Sequence, residues 1–171
     1  MIGTPLDCGL TISEEVWLPT HEFQRQVWGM VSDVADKFFS DGSQVHDQQS
    51  CMESLSRHAD DIIMAYDADG NIAALVYLVG LIPGLSCTLH GFARKDIRSP
   101  KFSTTVFRGM IEHVYRKHKI MRLESLVPVH NRTSKLLLLR AGFRCEGTLR
   151  SYARFNGVPT DFWVLSIIRE V

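Results

Sequence analysis

Apolar residues recur at helical spacing in two long stretches of the chain. In residues 21–39 they fall on one side of a helix, and Thr20 is suited to cap its start. A second apolar stripe predicts a helix that reaches about residue 117 from a start near residue 102. Residues 47–57 predict a more polar helix, which is interpreted as a solvated cover rather than as a mobile element over a cleft.

Shorter apolar runs, bounded by turn residues, are typical of strands. They cover residues 10–18, 62–66, 72–79, 86–93, 121–127, 143–146, 148–155 and 162–168. The segment 67–71 is a strong hairpin signal, and Asn156-Gly157 is a second one, although Pro159 indicates a longer loop there. The element order β–α–α–β–β–β–α–β–α–β–β predicts one α/β domain with a mixed sheet.

The composition narrows the class of protein. The chain has 171 residues and 19 basic and 19 acidic side chains, so its formal net charge is zero. This balance argues against a general binder of nucleic acid or of membrane surfaces. The N-terminal residues lack the features of a signal peptide, and no apolar run has the length of a membrane span. The four cysteines are scattered without zinc spacing, which predicts reduced thiols in the cytoplasm and no metal site.

One block of sequence is more specific than the rest: residues 131–147, NRTSKLLLLRAGFRCEG. It predicts an Asn-led turn, a short helix over residues 134–140, a stop at Gly142 and a new strand that Gly147 breaks or bulges. Asn-x-x-Ser followed by Gly-Phe and Glu-Gly resembles the last motif of the GNAT acetyltransferase superfamily. The ribosomal-protein N-acetyltransferase branch is the most similar one, and phage-encoded GNAT-type proteins are similar more loosely. The resemblance continues through Asn156-Gly157 and Asp161.

This resemblance implies a single GNAT-like domain over residues 1–171, with helices flanking a mixed central sheet. Two parallel strands, here residues 86–93 and 121–127, would splay apart so that acyl-CoA enters between them. The helix after the first strand would offer its free N–H groups and positive dipole end to the pyrophosphate. The residues implied to bind the cofactor are Phe92, Ala93, Arg94, Arg98, Ser99, Lys101, Phe102, Ser103, Thr104, Asn131 and Ser134.

The loop at residues 94–101 departs from the family pattern. The family usually has Gln or Arg-x-x-Gly-x-Gly or Ala at this helix start, and Arg98 and Ser103 fit that pattern. Lys101 stands at the first glycine position, however, and Pro100 removes an N–H donor. Either Lys101 and its basic neighbours, among them Lys95, bind phosphate through side-chain charge, or the pocket has lost acyl-CoA. Ser103 or Thr104 is the expected cap of the following helix.

Acetyl transfer to an amine needs a base, a polarised thioester carbonyl and a proton for the leaving thiolate. Glu124 and His90 are the candidate bases on the splayed strands, and His130 lies further along. The resemblance also directs the helix after Asn131 towards the thioester, so Ser134 is a third catalytic candidate. The alternative is a structural role for both residues, in which Asn131 forms the turn and Ser134 is a polar residue in the first turn of the helix. Many GNAT enzymes carry a Tyr that acts as the general acid four positions beyond this Ser, where the present chain has Leu138.

Two functions from different classes follow. The first is an acyl-CoA-dependent N-acyltransferase that moves acetyl from acetyl-CoA to an amine, such as a protein N-terminus or a lysine. The second is a catalytically inactive GNAT-fold protein for binding or assembly, for which the looser resemblance implies a phage-encoded protein that acts in virion morphogenesis. That alternative predicts an apolar or aromatic partner patch that involves Trp17, Trp28 or the loop in the 40s, and a blocked cleft. The C-terminal hairpin is also suited to pair strands across a homodimer.

Overall fold

A mixed sheet of eight strands organises the part of the chain that the structure describes. The computed structural model describes residues 3–6, 8–13, 20–32, 45, 47–97, 99–155 and 157–170. The strands are β1 (Gly3–Pro5), β2 (Thr11–Ser13), β3 (Asp61–Tyr66), β4 (Ile72–Ile82), β5 (Ser86–Ala93), β6 (Arg122–Pro128), β7 (Arg144–Phe155) and β8 (Val158–Ile168). Their order across the sheet is β1-β2-β3-β4-β5-β6-β8-β7, and only β5 and β6 pair in parallel among these described strands.

Four α-helices lie in the described residues and flank this sheet. They are α1 (His21–Val31), α2 (Gln48–His58), α3 (Pro100–His118) and α4 (Arg132–Ala141). A short 3-10 turn, Lys95–Ile97, joins β5 to α3. The predicted α/β class, mixed sheet and element order are therefore confirmed, with a short β1 added at the start.

Each face of the sheet has its own apolar core, because successive side chains of a strand point to opposite faces. Val76 and Leu78 of β4 belong to the cluster that packs under α3 and α4. Leu75 and Tyr77, which alternate with them along β4, belong to the cluster that packs under α1 and α2. The central strand β4 is therefore covered on both faces, which explains its almost unbroken apolar sequence.

Local signals account for most element boundaries. Thr20 caps α1 by accepting a hydrogen bond from the Phe23 amide at 3.2 Å, as predicted. The helix is described as far as Val31, and the rest of the predicted range, residues 33–39, lies outside the described residues together with the loop at 40–43. Asp67 accepts from the Asn71 amide at 2.9 Å and closes the predicted hairpin between β3 and β4.

Two boundary predictions were wrong. The cap of α3 is Ser99 rather than Ser103 or Thr104, because Pro100 is well placed in a first turn, where its missing N–H costs no hydrogen bond. Pro159 does not lengthen the C-terminal hairpin: Phe155 and Val158 already pair, which leaves a two-residue loop. Proline is tolerated in β8 because β6 pairs with β8 only from Phe162 onward.

Candidate active site

The parallel strands β5 and β6 separate after a short paired stretch. The register pairs are Ser86–Arg122, Cys87–Leu123 and Thr88–Glu124. β5 nevertheless continues to Ala93 and β6 to Pro128, and no register pair joins those described extensions. Their facing backbone amides and carbonyls therefore line a gap in the sheet, and the predicted splay is confirmed.

The N-terminus of α3 lies at the open end of this gap, because β5 leads into it through the Lys95–Ile97 turn. The Ser99 hydroxyl accepts from the Phe102 amide at 3.4 Å, and the Ser99 carbonyl accepts from the Ser103 amide at 2.9 Å. Lys101 is exposed between them, and its amide donates to no protein acceptor within the described residues. This amide and the Lys101 ammonium are available to an anion at the positive end of the helix dipole.

Several predicted cofactor residues already have protein partners. The Ser103 hydroxyl is buried and donates to the Ile97 carbonyl at 2.8 Å. The Arg94 guanidinium donates to both carboxylate oxygens of Asp96 and to Asp67, each at 2.8 Å. These hydrogen bonds, first those that Asp96 accepts and then the one that Asp67 accepts, raise the pKa of Arg94. Because two carboxylates match its charge, Arg94 contributes little attraction for a phosphate.

The remaining residues around the loop differ in accessibility. Phe92 is 5% exposed and packs in the cluster under α1 and α2. Ala93 pairs with Ala74 of β4, and Phe102 packs partly buried against the other cluster. Thr104 is half-buried in the first turns of α3, and Arg98 lies outside the described residues.

Asn131 holds the start of α4 beside the end of β6. Its side-chain oxygen accepts from the Ser134 amide at 3.1 Å, and its own amide donates to the Pro128 carbonyl at 2.8 Å. The Ser134 hydroxyl is half-buried and makes no hydrogen bond within the described residues. Leu138 is 4% exposed in the core, so an apolar side chain fills the position where many relatives carry a tyrosine.

Glu124 lies at the apex of the gap, on the face opposite Leu123 and the buried Ser125. Arg122 donates to its Oε2 through Nε at 3.2 Å and Nη2 at 2.7 Å. The same guanidinium donates to both oxygens of Glu146, at 2.9 and 2.6 Å. Oε1 of Glu124 accepts no hydrogen bond within the described residues. The carboxylate is therefore oriented by Arg122 and retains one oxygen for another donor.

His90 shares this face of the sheet. Its ring stacks on Tyr77 of β4 with a centroid separation of 4.9 Å and an interplanar angle of 14°. His90 lies two residues beyond Thr88, so it points to the same face as the Thr88–Glu124 pair. The two candidate bases are thus on one face, beside the splayed segments, whereas His130 packs against Phe155 of the C-terminal hairpin.

The sequence did not reveal the residues that support Glu124. Arg122 links two acidic side chains, and Ser166 donates to Glu146 at 2.5 Å. Hydrogen bonds from Arg122 and then Ser166 lower the pKa of Glu146 to about 2. A usable signal was the spacing of Arg122 and Glu124, which puts both on one face of a strand. The contact with Glu146 depends on strand β8 lying between β6 and β7, which no local pattern encodes.

The chain is similar in sequence to curated N-acetyltransferases. No family model matches the chain. The curated Bacillus subtilis protein YoaA, an uncharacterised N-acetyltransferase, is 34% identical over 68 residues, which are 40% of this chain and 38% of YoaA. The chain spans 38% and 57% of the lengths of two curated relatives that it matches.

Two solved structures match over nearly the whole chain. Spermidine N-acetyltransferase from Vibrio cholerae, in complex with CoA and spermine, has a TM-score of 0.75 at 17% identity and covers 95% of this chain and 96% of its own. Mycobacterium smegmatis RimJ, in complex with CoA-disulfide, has a TM-score of 0.72 at 16% identity over 96% and 84% of the two chains. The fold is that of the GNAT acetyltransferases.

None of the helices in the described residues is both long and apolar enough to cross a membrane. No group of three or more His, Cys, Asp or Glu side chains in the same residues is arranged to hold a metal ion.

Proposed function

We propose that residues 1–171 form one acyl-CoA-dependent N-acyltransferase domain, which transfers acetyl from acetyl-CoA to an amine. The observation that carries this proposal is the gap between β5 and β6, where the paired stretch ends at Thr88 and Glu124. Unpaired strand edges offer hydrogen bonds to an extended amide chain such as the pantetheine arm. The complexes of related folds with CoA support this choice of donor.

On the donor side, the pyrophosphate would lie at the start of α3. Pro100 supplies no amide there and Arg94 is held by Asp67 and Asp96, so phosphate binding rests on Lys101, with Lys95 and Arg98 as further cations. Lysine binds phosphate as a point charge and needs no glycine-rich approach of the backbone. The altered loop is therefore a substitution of side-chain charge for backbone contacts.

On the acceptor side, the amine would approach from the face that carries Glu124 and His90. Glu124 removes a proton from the ammonium, and the free amine attacks the thioester carbonyl carbon. Backbone amides in the gap stabilise the developing oxyanion. The carbon–sulfur bond then breaks, and the thiolate takes a proton from the candidate donor Ser134, which regains a proton as the attacking nitrogen loses its second one to form the amide. We place Glu124 ahead of His90 because one of its oxygens is already oriented by Arg122. A protein N-terminus or lysine remains the proposed acceptor.

Calorimetric titration with acetyl-CoA tests the donor side. Lys101→Ala should weaken binding roughly tenfold, the lower range expected for a hydrogen bond to a charged group. Arg116→Ala removes an exposed cation from the last turn of the same helix and is the matched control. Equal affinity of both variants would remove the pyrophosphate from the start of α3.

Steady-state kinetics test the base. Glu124→Gln should lower kcat about a hundredfold with little change in the donor KM, because a general base typically contributes 10²–10⁴-fold. His90→Gln is the comparison on the same face. An unchanged kcat for Glu124→Gln together with a large loss for His90→Gln would transfer the role of base to His90.

The second candidate function is a non-catalytic GNAT-fold protein for binding or assembly, including a phage-encoded one. Buried Leu138 favours it, since this position supplies no acid. Two measurements distinguish the two functions. Saturable binding of acetyl-CoA, together with release of free thiol in the presence of amines, supports the enzyme. Absence of both heat and thermal stabilisation at millimolar acetyl-CoA supports the binding protein.

A further inference from the structure

The balanced net charge conceals a strong partition along the chain. Residues 1–93 hold 13 acidic and three basic side chains, and residues 94–171 hold six acidic and 16 basic ones. The two parts therefore carry formal charges of −10 and +10. Zero net charge argues against nucleic-acid binding only when the charges are mixed, and here they are not.

Many of these cations surround the outer edge of the sheet, formed by β7 together with α4. In the described part of the chain, six of them make no ion pair with a carboxylate: Arg108, Lys135, Arg140, Arg144, Arg150 and Arg154. Some cations elsewhere are neutralised, as for Arg94 with its two aspartates and Arg169 with Glu112, whereas Lys101 and Arg116 remain exposed on α3. The six cations around β7 and α4 form the largest unmatched group, which we call the basic edge.

The cations of the basic edge lie on both faces of the sheet around this end, since Arg144 pairs with Ser166 and Lys135 contacts Trp163, whose side chain points to the other face. Arg108 of α3 donates to the Arg140 carbonyl at 2.5 Å, and Arg144 follows four residues later, beyond the Gly142 turn. Lys135 lies 3.7 Å from the ring centroid of Trp163, which pairs with a β7 residue. At about 3.3 Å per residue, strand β7 then extends this surface by roughly 30 Å.

An exposed aromatic residue interrupts the arginines. Tyr152 is 52% exposed, and its ring is tilted by 58° to that of Phe162 with the centroids 5.2 Å apart. A bulge presents it: Ser151 has a positive φ of 49°, and its amide donates to Asp161 Oδ1 at 2.7 Å. The bulge holds Tyr152 between Arg150 and Arg154 on a strand whose outer edge is unpaired in the described sheet.

We propose that the basic edge binds single-stranded nucleic acid. Phosphates attract the unmatched arginines, and an unstacked base covers the exposed side of Tyr152. Arginine forks suit phosphate oxygens, and an exposed aromatic ring suits the face of an unpaired base, which a duplex keeps stacked on its neighbours. The proposal does not depend on acyl transfer, because none of the six cations is assigned a role in that reaction.

Fluorescence anisotropy with a labelled single-stranded RNA of about 15 nucleotides tests the proposal, since single-strand sites span roughly 4–16 nucleotides. Arg144→Ala/Arg150→Ala should lower the magnitude of the slope of log affinity against log salt by about 1.4, because each phosphate contact contributes about 0.7. Tyr152→Ala should weaken binding about tenfold with the slope unchanged. The double variant Arg57→Ala/Arg116→Ala removes the same charge from exposed helical positions elsewhere and should leave both quantities unaltered.

Three results would overturn the proposal. One is an equal slope change for the two double variants, which would reduce the effect to overall charge. Another is binding of an RNA duplex or of polyglutamate as tight as that of the single strand, with no effect of Tyr152→Ala. The last is no anisotropy change at low salt with a folded protein, as judged by circular dichroism.

Discussion

Replacing Gly91 with alanine should lower the stability of the protein, whereas replacing Gly29 with alanine should raise it. Gly91 lies in the splayed part of β5, and a Cβ added there would be 2.9 Å from Phe107 Cζ, 3.1 Å from Val76 Cγ1 and 3.2 Å from the Leu75 carbonyl oxygen. Gly29 lies in α1, where an added Cβ meets nothing within 4 Å. Neither glycine has a left-handed backbone, so the difference between the two sites is one of packing.

The size of each effect follows from these contacts. At Gly91 the oxygen belongs to the neighbouring strand and the other two atoms belong to buried side chains, so overpacking should cost about 1–3 kcal/mol. The reduced entropy of the unfolded chain returns about 0.4–1 kcal/mol, so a net loss of about 1–2 kcal/mol is expected. Gly29→Ala should instead stabilise by about 0.5–1 kcal/mol, the preference of a helix interior for alanine.

Urea denaturation of the two variants beside the parent protein measures the difference. With a denaturant slope of about 2 kcal/mol/M, Gly91→Ala should lower the midpoint by roughly 0.5–1 M and Gly29→Ala should raise it. The slope itself should stay constant. A midpoint for Gly91→Ala at or above that of the parent protein would show that β5 and α3 are not packed as described. Parallel shifts of both variants would refute the attribution to local contacts.

Three further predictions concern polar contacts. Asp61→Asn should destabilise by about 1.5–3 kcal/mol, because it weakens a charged hydrogen bond with His118 at 2.7 Å. Burial alone would raise the pKa of Asp61, but its cationic partners lower it. The destabilisation by Asp61→Asn should therefore be complete at neutral pH and should shrink as the pH falls below about 4, where the carboxylate becomes protonated. Urea denaturation at several pH values measures this dependence. Arg122→Ala should return the pKa of Glu146 from about 2 towards its ordinary range, which NMR titration detects. Asn131→Ala should cost about 0.5–2 kcal/mol of unfolding free energy through loss of the α4 cap, and an unchanged thermal midpoint would contradict that role.

The sequence predicted what short-range rules control. The cap at Thr20, the turn after Asp67 and the stop at Gly142 each depend on residues within four positions, and the structure has all three. The cap of α3 was missed because Ser99, Ser103 and Thr104 are all polar residues near the predicted start. Proline at position 100 decides between them, since it favours the first helical turn.

The charges of the candidate site could not be assigned in the same way. Arg94 looked like a phosphate ligand, yet Asp67, 27 residues away in sequence, holds its guanidinium. Glu124 looked isolated on its strand, yet it shares Arg122 with Glu146, a residue of another strand. Ion-pair partners across a sheet depend on strand order, and residue spacing along one strand carries no information about them.

The parallel pairing of β5 with β6 also divides the sheet into two blocks. β1–β5 form one antiparallel block, and β6, β8 and β7 form the other, so the backbone ladder between them has only the three described pairs. The blocks coincide with the acidic and basic parts of the sequence. A ligand bound in the gap would add hydrogen bonds between β5 and β6 and so connect the two oppositely charged blocks. Its binding should therefore slow amide hydrogen exchange most in β5 and β6, the strands on either side of the gap.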